Sequence, residues 1–113
     1  MQRDEATLVD IANAARLALD FSAGLTSDEF LRDLKTQSAV LHQLTILGEA
    51  VKRLSEGFRA RYPDIPWALI AGMRDHLIHA YDAVDLDEVW RTLKKDIPDL
   101  LDGIVPILPS DET

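Results

Sequence analysis

Eight consecutive residues, Arg74-Asp75-His76-Leu77-Ile78-His79-Ala80-Tyr81, bring together an arginine, a carboxylate, two imidazoles and a phenol. Each type has a use in phosphodiester chemistry. An arginine fork neutralises a phosphate, or the five-coordinate phosphorus formed when a phosphodiester is attacked. An imidazole that titrates near neutrality can take a proton from a ribose 2′-hydroxyl and return one to the leaving oxygen. A tyrosine offers a hydroxyl and a ring against which a base can stack. The set suits RNA cleavage by internal 2′-OH attack without a metal. It also suits plain structure, with Arg74 paired to an acid, His79 packed at a helix end and Tyr81 closing a core.

Spacing limits which of these groups can cooperate. On an ideal helix Arg74 and Tyr81 lie about 20° from eclipsed, whereas Arg74 and His79 are about 140° apart around the axis. Either the helix breaks before His79, or Arg74 and His79 find their counterparts in a second chain across a two-fold axis. Asp75 precedes His79 by four residues and could orient its ring. His76 and His79, with Asp75, are the one candidate metal pair, and no further ligands converge on them in the sequence. His42 and Glu49 read as solvated or interface residues of a helix. The glycine motifs of a P-loop, a Rossmann turn and a hydrolase elbow are all absent.

The elements that must carry this segment read as helices. Leu8, Ile11, Ala12, Ala15 and Leu19 recur at helical spacing, predicting a first helix from about Asp4 to Phe21, ended near Gly24. Thr26 and Glu29 form a capping box, with Leu25 and Phe30 as its staple. Val40, Leu44, Leu47, Val51, Leu54 and Phe58 alternate spacings of four and three, predicting one long helix closed by Arg61-Tyr62-Pro63. A third helix should begin near Trp67, with Asp64 and Pro66 in its first turn and Trp67, Ile70, Met73 and Leu77 inward. Asp85 and Glu88 form a second capping box, with Val84 and Val89 as staple, opening a fourth helix along Leu86, Trp90, Leu93, Ile97, Leu100 and Ile104. Pro98 should kink that helix or end it early. No segment alternates with period two. The expected architecture is all-α, an antiparallel up-and-down bundle of four main helices. Leu41 and Ile46 widen the apolar face, as a dimer surface would.

With 113 residues the chain is expected to be one domain, its core about residues 5–108 and its last five residues a frayed tail. The absence of cysteine excludes a disulfide scaffold, a Cys-ligated zinc and a thiol nucleophile. It agrees with a cytoplasmic location, as does an acidic N-terminus without the apolar core of a secretion signal. Twenty acids against twelve bases give a net charge of −8, so any RNA binding must use a local patch, not bulk charge. Lys52, Arg53 and Arg59, with Arg61, form the densest basic stretch and are the candidate contacts to RNA or a partner.

The octapeptide matches Arg-x-x-x-x-His-x-Tyr and resembles the signature of the HepT-like branch of HEPN-domain proteins. The flanks are similar too: Leu47-Gly48-Glu49-Ala50-Val51-Lys52-Arg53-Leu54, Tyr62-Pro63-Asp64-Ile65-Pro66-Trp67 and Val84-Asp85-Leu86-Asp87-Glu88-Val89-Trp90. The resemblance implies a helical homodimer whose Arg and His motifs line an intersubunit cleft, and a metal-independent endoribonuclease acting as a toxin. It implies Arg74 and His79 as the catalytic pair; Asp75 and His76, within the same segment, are candidate supporting residues. The implied partner is a minimal nucleotidyltransferase (MNT-type) antitoxin that transfers AMP from ATP to Tyr81, with no metal or other cofactor bound by the chain itself. Two alternatives remain at this point. One is a non-catalytic dimerisation module that holds a nucleotidyltransferase, and the other a metal- or nucleotide-binding regulator using His76 and His79.

Overall fold

The computed structural model describes residues 3–77 and 84–109, and among these there is no β-strand. Helix α1 spans Arg3–Ser22 and turns Leu8, Ile11, Ala12, Ala15 and Ala18 wholly inward. Alanines on that stripe keep the helix surface low, so a neighbour can approach closely. The Ser22 hydroxyl donates back to the Ala18 carbonyl, and Gly24 then turns the chain at φ +79°, a conformation that strains any side chain. Helix α2 (Ser27–Leu31) opens with the expected capping box. The Glu29 N–H donates to Thr26 Oγ1 (3.1 Å), and the Thr26 N–H donates to Glu29 Oε1 (2.9 Å). Its purpose is to bury Phe30, whose ring lies 5.3 Å from that of Trp90.

Helix α3 (Leu34–Lys52) is capped by Asp33, and inside the core the Gln37 amide donates to the Phe30 carbonyl (2.9 Å), tying α2 to α3. The long second helix expected through Phe58 is in fact two helices. α3 stops at Lys52, and α4 covers Glu56–Arg61. Ser55 causes the break. Its hydroxyl accepts the Phe58 N–H as the cap of α4, while Asp4 of α1 accepts both the Ser55 N–H (2.9 Å) and its hydroxyl (2.7 Å). Those bonds satisfy groups that a continuing helix would have to use. Val40, Leu44, Leu47, Val51, Leu54 and Phe58 nevertheless all stay buried. Because Asp4 meets Ser55 and Asp10 lies 4.0 Å from Arg53, α1 and α3 run antiparallel.

Helix α5 (Trp67–Ala71) starts where expected, but Pro66 stands at its cap instead of within the first turn. The Trp67 indole N–H fixes the α4–α5 connection by donating to the Tyr62 and Arg59 carbonyls. The expected third helix is divided at Gly72, beyond which α6 covers Met73–Leu77. Hydrogen bonds from Gly72 N–H to Ala68 and from His76 N–H to Gly72 carry the chain through the division. Then α7 (Leu86–Arg91), a π turn (Thr92–Asp96), α8 (Ile97–Ile104) and a 3₁₀ turn (Val105–Ile107) follow one another. Pro98 does not end this run. It lacks an N–H and its ring crowds the carbonyl four residues back. The π turn, where the Ile97 N–H reaches the Thr92 carbonyl, widens the helix just ahead of it. Leu93, Ile97, Leu100 and Ile104 therefore remain in the core.

The result is the expected all-α bundle. α1 and α3 share its largest interface, α5 and α6 lie on α3, α8 closes against α1, and α7 contacts α2 and α6. Leu41 packs against the core, whereas Ile46 is exposed. No described helix is long and apolar enough to cross a membrane.

Candidate functional site

The helix bearing the motif is seated by the absence of a side chain. Gly48 faces the backbone of α5 so closely that a Cβ there would lie 3.2 Å from the Ile70 carbonyl oxygen and 3.4 Å from that of Ala71. Glycine thus lets α3 and α5 touch backbone to backbone, and Arg74 follows Ala71 by three residues, roughly one helical turn. On α6 the buried Met73 and Leu77 point into the core, which leaves Arg74, Asp75 and His76 outside.

The Arg74 side chain is 51% exposed, and its guanidinium lies 3.8 Å from the Asp75 carboxylate, which is itself 87% exposed. Such a pair contributes little to stability, and water and ions compete for both partners. The guanidinium is therefore accessible to a phosphate, and it is not locked in the interior. Asp75, expected to orient His79, stands beside Arg74. His79 and Tyr81 themselves lie outside the described residues.

His76 has a partner that its spacing did not reveal. Its Nε2 is 3.1 Å from Glu88 Oε2 on α7. An ionised carboxylate only accepts, so Nε2 carries the proton and donates it. On its other flank Glu88 accepts from the Arg91 guanidinium one turn along α7. Arg91 first, and His76 second, hold the Glu88 carboxyl below the usual glutamate range. The expected second capping box forms only in its first half. Asp85 accepts the Glu88 N–H (3.1 Å), but the Glu88 carboxylate turns to His76 and Arg91, while the Asp85 N–H donates to the Leu77 carbonyl (2.9 Å). Chain spacing gives no cue to the His76–Glu88 contact, because the two residues belong to different helices. No group of three metal-ligating side chains occurs among the described residues.

The basic stretch is largely occupied locally. Lys52 pairs with Glu49 at 3.2 Å, Arg53 lies 4.0 Å from Asp10, and Arg61 sits over the Phe58 and Tyr62 rings. Arg59 accepts the Trp67 N–H through its carbonyl, while its Nε is buried without a hydrogen-bond partner among the described residues. A cavity of about 290 Å³ is lined by Asp64, Asp96 and Asp99 together with Ile65, Leu69 and Leu100, with none of the described motif residues in its wall. Its acids disfavour a phosphate.

Residues 11–107 match the family described as "Ribonuclease HepT-like". The chain is 47% identical over 93 residues to a protein of Thermococcus cleftensis named as a probable ribonuclease HepT, covering 82% of this chain and 84% of the relative. It is 39% identical over 107 residues to a protein of Methanocaldococcus jannaschii carried as a candidate RNase, covering 95% of this chain and 88% of the relative. A candidate RNase of Caldanaerobacter subterraneus is 39% identical over 89 residues, covering 79% and 80%. No solved structure matches the chain.

Proposed function

The chain belongs to the HepT-like ribonuclease family, and from that premise we propose that it is a metal-independent endoribonuclease, the toxin of a toxin–antitoxin module. The observation that carries this reading is the half-exposed Arg74 guanidinium on a helix whose other side is anchored in the core. Arg74 binds the scissile phosphate and stabilises the charge that builds on its oxygens. His79 takes the proton of the ribose 2′-hydroxyl as its oxygen bonds to phosphorus. The bond from phosphorus to the 5′ oxygen breaks, and that oxygen receives a proton, leaving a 2′,3′-cyclic phosphate and a 5′-hydroxyl. Two protomers supply two copies of Arg74 and His79 to one cleft, which answers the angular separation of the pair on a single helix.

Control falls to a nucleotidyltransferase antitoxin. The Tyr81 phenolic oxygen attacks the α-phosphorus of ATP, AMP becomes attached, and pyrophosphate leaves. The added negative charge repels RNA from the cleft.

The test is cleavage of a mixed-sequence RNA by the purified chain in the presence of a chelator, with product ends identified by mass spectrometry. Cyclic-phosphate ends are expected, lost in Arg74→Ala and His79→Ala while sedimentation still reports a dimer. Co-expression with a neighbouring nucleotidyltransferase should add AMP-sized mass increments that Tyr81→Phe abolishes. Unchanged cleavage by Arg74→Ala, or activity only with a divalent metal, would overturn the reading. An inert chain that still binds the nucleotidyltransferase would mark it as an interaction module.

A further inference from the structure

Helix α6 (Met73–Leu77) carries both Arg74 and His76. Most of a helix's stability in a protein comes from packing against its neighbours, so the position of α6 is set by what grips it. Met73 and Leu77 grip it from the core. On the solvent side, among the described residues, the carboxylate of Glu88 grips it through His76. Glu88 stands in the first turn of α7, and its side chain is only 25% exposed although both of its partners lie more than half in water. Arg91 holds Glu88 from within α7, so the carboxylate is already ordered when it meets His76, and less entropy is lost in making that contact. Its charge is paired with the Arg91 guanidinium, which weakens its opposition to a phosphate approaching Arg74.

We propose that Glu88 is a positioning residue: braced by Arg91, it holds His76 and through it sets the orientation in which α6 presents Arg74 to the substrate. The inference rests on the ribonuclease reading for its kinetic consequence, and on the His76–Glu88 contact alone for its structural one.

The experiment compares the full chain with Glu88→Gln, His76→Gln and the double variant, measuring kcat and KM for RNA cleavage and amide hydrogen exchange along the chain. Glu88→Gln keeps the size of the side chain and remains acceptable in the first turn of a helix. Displacing a phosphate-binding group by about an ångström costs up to about a hundredfold in rate, so kcat should fall about tenfold or more with KM within about twofold. The double variant should lose little beyond either single one, because the two residues act through one contact. A solvated anion near the cleft would behave otherwise: its removal would lower KM and leave kcat alone, and that outcome overturns the proposal, as does a double variant whose loss is the product of the two single losses. Should the unaltered chain fail to cleave RNA, the ribonuclease reading falls separately, and exchange at the His76 and Leu77 amides decides. A rise of about tenfold there in Glu88→Gln, with α1 and α3 unchanged, supports the brace. Equal exchange in both proteins refutes it.

Discussion

The Asp85 N–H donates to the Leu77 carbonyl over 2.9 Å, so the start of α7 is bonded directly to α6. The same Asp85 caps α7 through its side chain, which accepts the Glu88 N–H. One residue thereby caps α7 and ties its start to the Leu77 carbonyl of α6. Geometry at the proposed catalytic motif is best held by rigid elements, and α6 and α7 are joined by both main chain and side chains.

Removal of that cap should be measurable. Asp85→Ala leaves the first amides of α7 without their side-chain acceptor, and the expected loss of stability is about 0.5–2 kcal/mol in urea denaturation. A variant as stable as the parent would show that water replaces the cap without penalty.

Arg74→Lys separates charge from shape. The residue is half exposed and its ion-pair partner among the described residues is the exposed Asp75, so the stability of the fold should shift by less than about 0.5 kcal/mol. Lysine keeps the charge but lacks the planar fork that matches two phosphate oxygens, so RNA cleavage should fall about tenfold or more. Equal activity would mean that Arg74 contributes only a diffuse positive field.

Much of this architecture was legible because burial writes itself into spacing. The stripe from Val40 to Phe58 is entirely inside, as its alternation of four and three requires. The same stripe hid the interruption after Lys52, since a break of about one turn brings the next apolar residue back to the same side. Its cause, Asp4 reaching Ser55, is a contact between residues 51 positions apart, which no local pattern encodes. Thr26 with Glu29 was readable as a box because both partners lie within one turn. Asp85 with Glu88 looked identical and formed only half of it, because His76 and Arg91 compete for the Glu88 carboxylate. At Pro98 the sequence announces a missing donor, but whether a helix kinks, stops or widens depends on the core beneath it. Leu93, Ile97 and Leu100 are held there, and the chain widens into a π turn. Arg74 was legible as a candidate by type and spacing, whereas the brace on its helix is purely tertiary.

Gly48→Val tests the backbone contact that seats the motif. Valine gains over glycine in helix propensity by a few tenths of a kcal/mol, but its Cβ would press on the Ile70 carbonyl at 3.2 Å and its methyl groups would press further. Backbone cannot swing aside as a side chain tip does, so overpacking should prevail and cost about 1–3 kcal/mol. Chemical denaturation reads the sign directly, and a stabilised variant would place the α3–α5 contact farther apart than described.

The tie between Asp4 and Ser55 should give stability a defined pH dependence. The Ser55 hydroxyl first, and the Ser55 N–H second, hold the Asp4 carboxyl below the ordinary aspartate value in the folded chain. A carboxyl depressed on folding contributes stability that is fully present above its unfolded value of about 3.9 and is lost as pH falls through its folded value. The unaltered chain should therefore be more stable than Asp4→Ala by a constant margin from about pH 7 down to about pH 5, and the margin should shrink below that as Asp4 protonates in the native protein. Urea midpoints of both proteins, measured stepwise into acid, give the comparison. A margin that grows in acid would require Asp4 to be held above its ordinary value, the reverse of what two hydrogen bonds to an ionised carboxylate produce.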